Sequence, residues 1–210
     1  TRAVSGQGGV IDKFIGDAVL CIFEGPDSAQ RAVACGVDML GAVKSFNAEE
    51  NQSGGQAVQV GIGLHTGPVI LGTIGSSERM DSTVLGLTVN LAKRLEEITR
   101  PLGVDMIISD QVAQRLQERH NHSLRNLGEV WVKGGLKPLT IYEVFDEDPP
   151  ELRNLKDRIK PIMAEGIELV RGGRLEAALT KFEAVQTISP QDPPLRLLIK
   201  SLKSALEQGQ

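Results

Sequence analysis

Five residues, Asp146-Glu147-Asp148-Pro149-Pro150, split the chain into two stretches of different hydrophobic periodicity. Before them, short β-branched runs alternate with amphipathic helical windows, an order that predicts α+β or α/β layering. After them every window is helical: Leu155 to Val170, Leu175 to Thr187 and Leu195 to Leu206, separated by Gly172-Gly173 and by Pro190-Gln191-Asp192-Pro193-Pro194. A charged, proline-marked stretch is a natural boundary, so the reading is a domain over residues 1–146, a linker over 147–150 and a small all-α tail over 151–210. Gly166, Ala178, Phe182 and Pro190 match tetratricopeptide spacing, in which small residues let paired helices approach and proline ends the pair. One such unit packs against the rest of the chain or takes a protein or peptide partner in its groove.

Within the first stretch, two apolar runs between Gly8 and Phe23 meet at Gly16-Asp17, which predicts a hairpin with Asp17 at its tip. Ser28 to about Phe46 has helical spacing, and Asn51 to Gln56 reads as a polar loop. Ala57 to Ile74 is strand-like and broken at Thr66-Gly67-Pro68, which predicts a second hairpin. Thr88 to Thr99 reads as a helix stopped by Pro101, and Val104 to Ile108 as a strand. Ser109 is the expected N-cap of a helix from Gln111 to Arg119. Two more strands, Leu127 to Val132 and Leu139 to Phe145, flank Lys133-Gly134-Gly135.

Composition excludes several classes. With 40% hydrophobic and 24% charged residues the 210-residue chain is globular, and its net charge of −4 asks for neither nucleic acid nor an anionic membrane. Two cysteines in a chain of this length argue for a reducing, cytoplasmic setting. No apolar run approaches the roughly 20 residues of a membrane-spanning helix. The start at Thr1, without an initiator Met or an apolar leader, suggests an excised piece. Neither GxxxxGK[ST] nor a GxGxxG after a strand is present, and HExxH and paired CxxC are absent. His120 and His122 read as parts of a solvated loop, and His65 as a hydrogen-bonded core or turn residue.

Four segments in order carry a resemblance. They are the run from Gly9 to Val19 containing Asp12-Lys13-Phe14-Ile15-Gly16-Asp17, then Val60-Gly61-Ile62-Gly63-Leu64-His65-Thr66-Gly67-Pro68-Val69, then Gly75 to Glu96 containing Thr83-Val84-Leu85-Gly86-Leu87-Thr88-Val89-Asn90, and Val132-Lys133-Gly134-Gly135. Together they resemble the class III nucleotidyl cyclase catalytic domain, across roughly Gly8 to Phe145. The fold this implies is α+β, a ferredoxin-like sandwich, here lacking the first strand that bears the family's other metal-binding aspartate, followed by the helical tail. The activity it implies is conversion of ATP to 3′,5′-cyclic AMP and pyrophosphate in signal transduction, although a fragment without that strand is expected to be inactive alone.

The resemblance assigns roles to seven residues. Asp17 corresponds to a metal-binding aspartate for Mg²⁺ or Mn²⁺, two ions per site, which take hard oxygen ligands. Lys13 and Thr83 correspond to the base-selecting pair, and an ammonium with a side-chain acceptor suits adenine. Asn90 and Arg94 lie four apart, so on a helix they share a face; the resemblance gives them the ribose and the α-phosphate. Lys133 and Arg79 correspond to triphosphate ligands. A homodimer is implied, with sites at its interface: Asp17 serves one site and the base, ribose and phosphate residues serve the other. The Thr83 hydroxyl donates or accepts, so guanylate or mixed-specificity activity stays open as an alternative. The alternative of a different class is a catalytically silent dimerisation module.

Overall fold

A computed structural model describes residues 1–76, 79–116, 121–131 and 137–208. The chain opens with α1 (Arg2–Gly6), β1 (Val10–Ile15) and β2 (Ala18–Ile22), then α2 (Ser28–Ser53). β1 and β2 form the antiparallel hairpin read from the sequence, closed by Gly16-Asp17 between the paired Ile15 and Ala18. Gly16 has φ of 65°, as a two-residue loop with glycine first requires. α2 runs past Phe46 and takes in half of the expected polar loop, ending where Gly54 turns left-handed at φ of 77°.

The second expected hairpin does not form. β3 (Ile62–Leu64) pairs in parallel with β6 (Met106–Ser109), whereas β4 (Ile70–Ser76) pairs antiparallel with β5 (Arg79–Leu85) as a separate ribbon. Thr66-Gly67-Pro68 therefore changes direction between two sheets rather than closing a hairpin. Between β5 and β6 lies α3 (Leu87–Leu102), which contains Pro101 in its last turn rather than stopping before it. Proline there forfeits one intrahelical bond, and Gly103, at φ of 64°, completes the stop.

α4 (Asp110–Arg115) is shorter than read, and its Ser109 cap accepts from the Val112 N–H at 3.4 Å. β7 (Leu124–Val130) and β8 (Leu139–Val144) then complete a four-stranded sheet in the order β3-β6-β8-β7. Along β6, Met106 and Ile108 join Val33 and Leu40 of α2, while Ile107 faces Leu95 of α3 with Ile141 and Leu127. This alternation puts α2 on one face of the sheet and α3 on the other. The chain is thus α+β, followed by C-terminal helices α5 (Pro150–Arg171), α6 (Leu175–Ile188) and α7 (Pro193–Glu207).

These last helices have their own core of Ile159, Met163, Phe182, Leu195 and Ile199. A Cβ on Gly166 would stand 2.5 Å from the Phe182 ring, so α5 and α6 meet through glycine. The helices also grip the sheet. Arg125 of β7 ion-pairs with its cross-strand partner Glu143 and with Asp192, the N-cap of α7. Lys156 of α5 reaches Glu143 at 2.7 Å and also Asp148. No helix among the described residues is long and apolar enough to cross a membrane.

Candidate functional site

β1 carries Lys13, and Asp17 stands exposed in the hairpin turn that follows it. β1 also lies in contact with β5, the strand that carries Thr83 and Arg79. Main-chain register sets Thr83 opposite Gly72 and Arg79 opposite Ser76. The structure therefore brings the strands of Lys13 and Thr83 to one place. Lys133 lies outside the described residues.

α3 presents the other two candidates. Asn90 and Arg94 are both exposed, one turn apart, and Arg94 forms an ion pair with Glu97. What fixes this helix is close approach to β3. A Cβ on Gly63 would stand 2.2 Å from the Glu96 nitrogen and 2.3 Å from the Ala92 oxygen, so only glycine lets the two backbones touch. At the N-terminus of α3, the Thr88 hydroxyl donates to the Pro68 carbonyl at 2.7 Å. The β3–β4 connection thus holds the first turn of the helix two residues before Asn90.

His65 begins that connection. Its Nδ1 lies 2.9 Å from Ser109 Oγ, the hydrogen-bonded role read from the sequence. Burial pushes the imidazole below its ordinary value of 6.5, opposed by nearby Asp110, so it is held neutral. His122 differs from its reading: it is largely buried, with Nδ1 3.5 Å from Asp146, rather than solvated. His120 lies outside the described residues. Neither thiol is an activated nucleophile, since burial raises both Cys21 and Cys35, the latter to about 11.

For a divalent cation, Asp17 is a hard oxygen donor with room around it. Among the described residues no three His, Cys, Asp or Glu side chains cluster as a complete metal site. An exposed carboxylate of this kind has the chemistry to serve as one ligand of such a cation.

Two arrangements were not legible beforehand. Arg31 donates to the Gln7 and Gly8 carbonyls at 3.0 Å each and to the Glu24 carbonyl, tying the approach to β1 to the start of α2. Asp12 is an extra residue in β1, beside Lys13. Neither has a sequence signature, because an arginine on a helix and an aspartate in a strand look like ordinary surface residues.

Comparison with known proteins adds the family. The profile described as "Adenylate and Guanylate cyclase catalytic domain" matches residues 10–145. An adenylate cyclase of Anabaena cylindrica is 37% identical over 148 residues, covering 68% of this chain and 29% of that protein. The "Adenylate cyclase, terminal-differentiation specific" of Dictyostelium discoideum is 31% identical over 202 residues, covering 94% of this chain and 9% of that protein. The crystal structure of the guanylyl cyclase Cya2 superposes with a TM-score of 0.60 at 34% identity, covering 71% of this chain and 76% of that one. The chain spans less than a third of the length of either curated relative.

Proposed function

Because the chain belongs to the adenylate and guanylate cyclase catalytic domain family, we propose that it supplies most of the catalytic domain of an adenylate cyclase, which makes cyclic AMP and pyrophosphate from ATP. Residues 1–146 form the catalytic part in this reading and 151–210 its helical tail. Both curated relatives above are named as adenylate cyclases. A guanylyl cyclase shares the fold, so the base is chosen by side chains rather than by architecture.

The observation that carries the reading is the contact of β1 with β5, which supports a common base pocket for Lys13 and Thr83. The Lys13 ammonium donates to adenine N1, and the Thr83 hydroxyl accepts from the exocyclic amine. On α3, Asn90 orients the ribose so that its 3′-oxygen faces the α-phosphorus. Arg94 leaves Glu97 and neutralises the charge that grows on the α-phosphate oxygens. The 3′-oxygen forms a bond to the α-phosphorus, its proton passes to solvent, and the bond to the bridging oxygen breaks, with that electron pair leaving on pyrophosphate. Arg79 and Lys133 bind the triphosphate. Asp17 would hold a divalent cation, Mg²⁺ or Mn²⁺ as one of two per site, and such a cation would screen the phosphate charge and make the 3′-hydroxyl more acidic.

A homodimer pairs Asp17 of one chain with the nucleotide-binding residues of the other. Exposed apolar side chains on the two ribbons, Phe14 at 71% and Ile70 at 69%, support a face that is covered in the assembled enzyme. The test is product identity by mass spectrometry when the full-length protein is offered ATP or GTP with Mn²⁺. Cyclic AMP as the main product is expected, and cyclic GMP as the main product contradicts the reading.

A further inference from the structure

Successive side chains of a regular strand point to opposite faces, so neighbours in sequence do not meet. Lys13 and Asp12 do meet: Lys13 Nζ lies 3.4 Å from Asp12 Oδ2. The register of β1 explains how. Ile11 pairs with Cys21 and Lys13 with Leu20, which leaves Asp12 with no partner on β2. Two residues against one make a β-bulge, which bends the strand and re-aims the side chains beside it. Regular pairing in place of the bulge would set Asp12 opposite Cys21 and move Ile11 and Val10 by one, onto the opposite faces, while Lys13 would stay opposite Leu20.

The aspartate at the bulge is unusual in a second way. Its side chain is 10% exposed, and Oδ2 is out of contact with solvent and accepts no hydrogen bond. A buried carboxylate oxygen without a hydrogen bond is costly, so the nearby ammonium charge is what compensates it. The same contact acts on the lysine. Lys13 is 32% exposed and has a flexible four-carbon stem, so an unanchored ammonium would spread over many rotamers in water. The Asp12 charge, 3.4 Å away, restrains the direction of that ammonium from the side of the bulge.

We propose that Asp12 is a positioning residue for nucleotide selectivity: seated in the bulge, it aims Lys13 so that the lysine meets adenine with its direction already fixed. This rests on the reading of Lys13 as the base-contacting lysine. Asp12 itself touches no nucleotide and works through Lys13. Pre-orientation stabilises the ATP complex by sparing the ordering of a long side chain on binding. A guanine base presents a donor at N1 and gains nothing from the aimed ammonium there.

The experiment is calorimetric titration of the full-length protein with 3′-deoxy-ATP and 3′-deoxy-GTP in Mn²⁺, ligands that bind but lack the attacking hydroxyl. Asp12→Asn keeps the shape and removes the charge. It is expected to weaken 3′-deoxy-ATP about threefold to tenfold, as loss of a partly buried ion pair does, with 3′-deoxy-GTP unchanged. Asp12→Glu is expected to restore most of the difference, and Asp12→Ser to reproduce the loss if Asn perturbs the bulge. Lys13→Ala serves as the reference.

Each other outcome has a meaning. If Asp12→Asn and Asp12→Ser bind both ligands as the unsubstituted protein does while Lys13→Ala loses the ATP preference, the role of Asp12 is overturned and the base reading stands. Equal weakening of both ligands, with a lower melting temperature, makes Asp12 a structural residue only and also overturns it. If Lys13→Ala keeps the ATP preference, or the unsubstituted protein binds neither ligand, the base reading falls and this inference falls with it.

Discussion

Arg125 of β7 donates through Nη1 to Asp192, the N-cap residue of α7, 67 positions further along the chain. The guanidinium is fully buried, and the carboxylate nearly so. Burial alone would favour the neutral guanidine, but Glu143 and Asp192 outweigh it and the pKa is raised, so Arg125 is charged throughout the working pH range. With Lys156 bridging Glu143 and Asp148, the cluster binds the helical tail to the strand at the edge of the sheet. An edge strand covered in this way is closed to pairing with other chains.

Removing one member of such a cluster costs more than the pair itself contributes, because the survivor is left buried and charged. Asp192→Ala also removes the acceptor for the Leu195 N–H at 3.0 Å. The expected loss is about 3–5 kcal/mol from the ion pair and about 1 kcal/mol from the cap. Urea denaturation measures it, and a loss below about 1 kcal/mol would show that the tail is not held by this contact.

Gly63→Ala tests the seat of α3. The added Cβ has no room against the backbone of Ala92 and Glu96, so the helix must shift. Destabilisation of about 1–3 kcal/mol is expected, together with a fall in cyclic AMP formation, because Asn90 and Arg94 move with the helix. A variant as stable and active as the unsubstituted protein would mean that the site does not depend on this approach.

His65 predicts a pH dependence of stability. Its folded pKa lies below 6.5, so below that pH the unfolded chain binds the proton more readily than the folded one. Stability is therefore fully present above about pH 6.5 and falls as the pH drops toward the folded value. His65→Gln should flatten that part of the curve. Urea midpoints between pH 5 and 8 decide it, and an unchanged slope in the variant would assign the dependence to other groups.

Charge reversal at Lys13 addresses the base. Lys13→Glu replaces a donor toward adenine N1 with an acceptor toward guanine N1 and its amine. The ATP-to-GTP ratio of kcat/KM should fall by at least about tenfold, the scale on which one unpaired polar contact discriminates. An unaltered ratio would remove Lys13 from the base pocket.

The hairpin and the helix that carry the candidate residues were readable in the sequence because their signals are local. Gly16-Asp17 between two β-branched runs marks a tight turn, and Asn90 and Arg94 at helical spacing need only a helix to share a face. The β3–β4 error is of the opposite kind. Thr66-Gly67-Pro68 breaks a strand equally well whether the chain folds back or crosses to another sheet, and the parallel partner at Met106–Ser109 is remote. Pairing across long separations also hid Arg125, Lys156 and Asp192, each of which looks like a surface charge until the tail is docked. Asp12 was invisible because a bulge is a property of two strands in register rather than of either alone.

The most direct test of the central claim is the rate of cyclic AMP formation by the full-length protein before and after Arg94→Ala, with ATP saturating. Arg94 is exposed and bonded only locally, to Glu97, in the contacts above, so the substitution should leave the fold intact. The account predicts a fall of about 10²–10³ in kcat, as removal of one group that stabilises transition-state charge produces. A kcat within about twofold of the unsubstituted protein would contradict the placement of Arg94 at the α-phosphate.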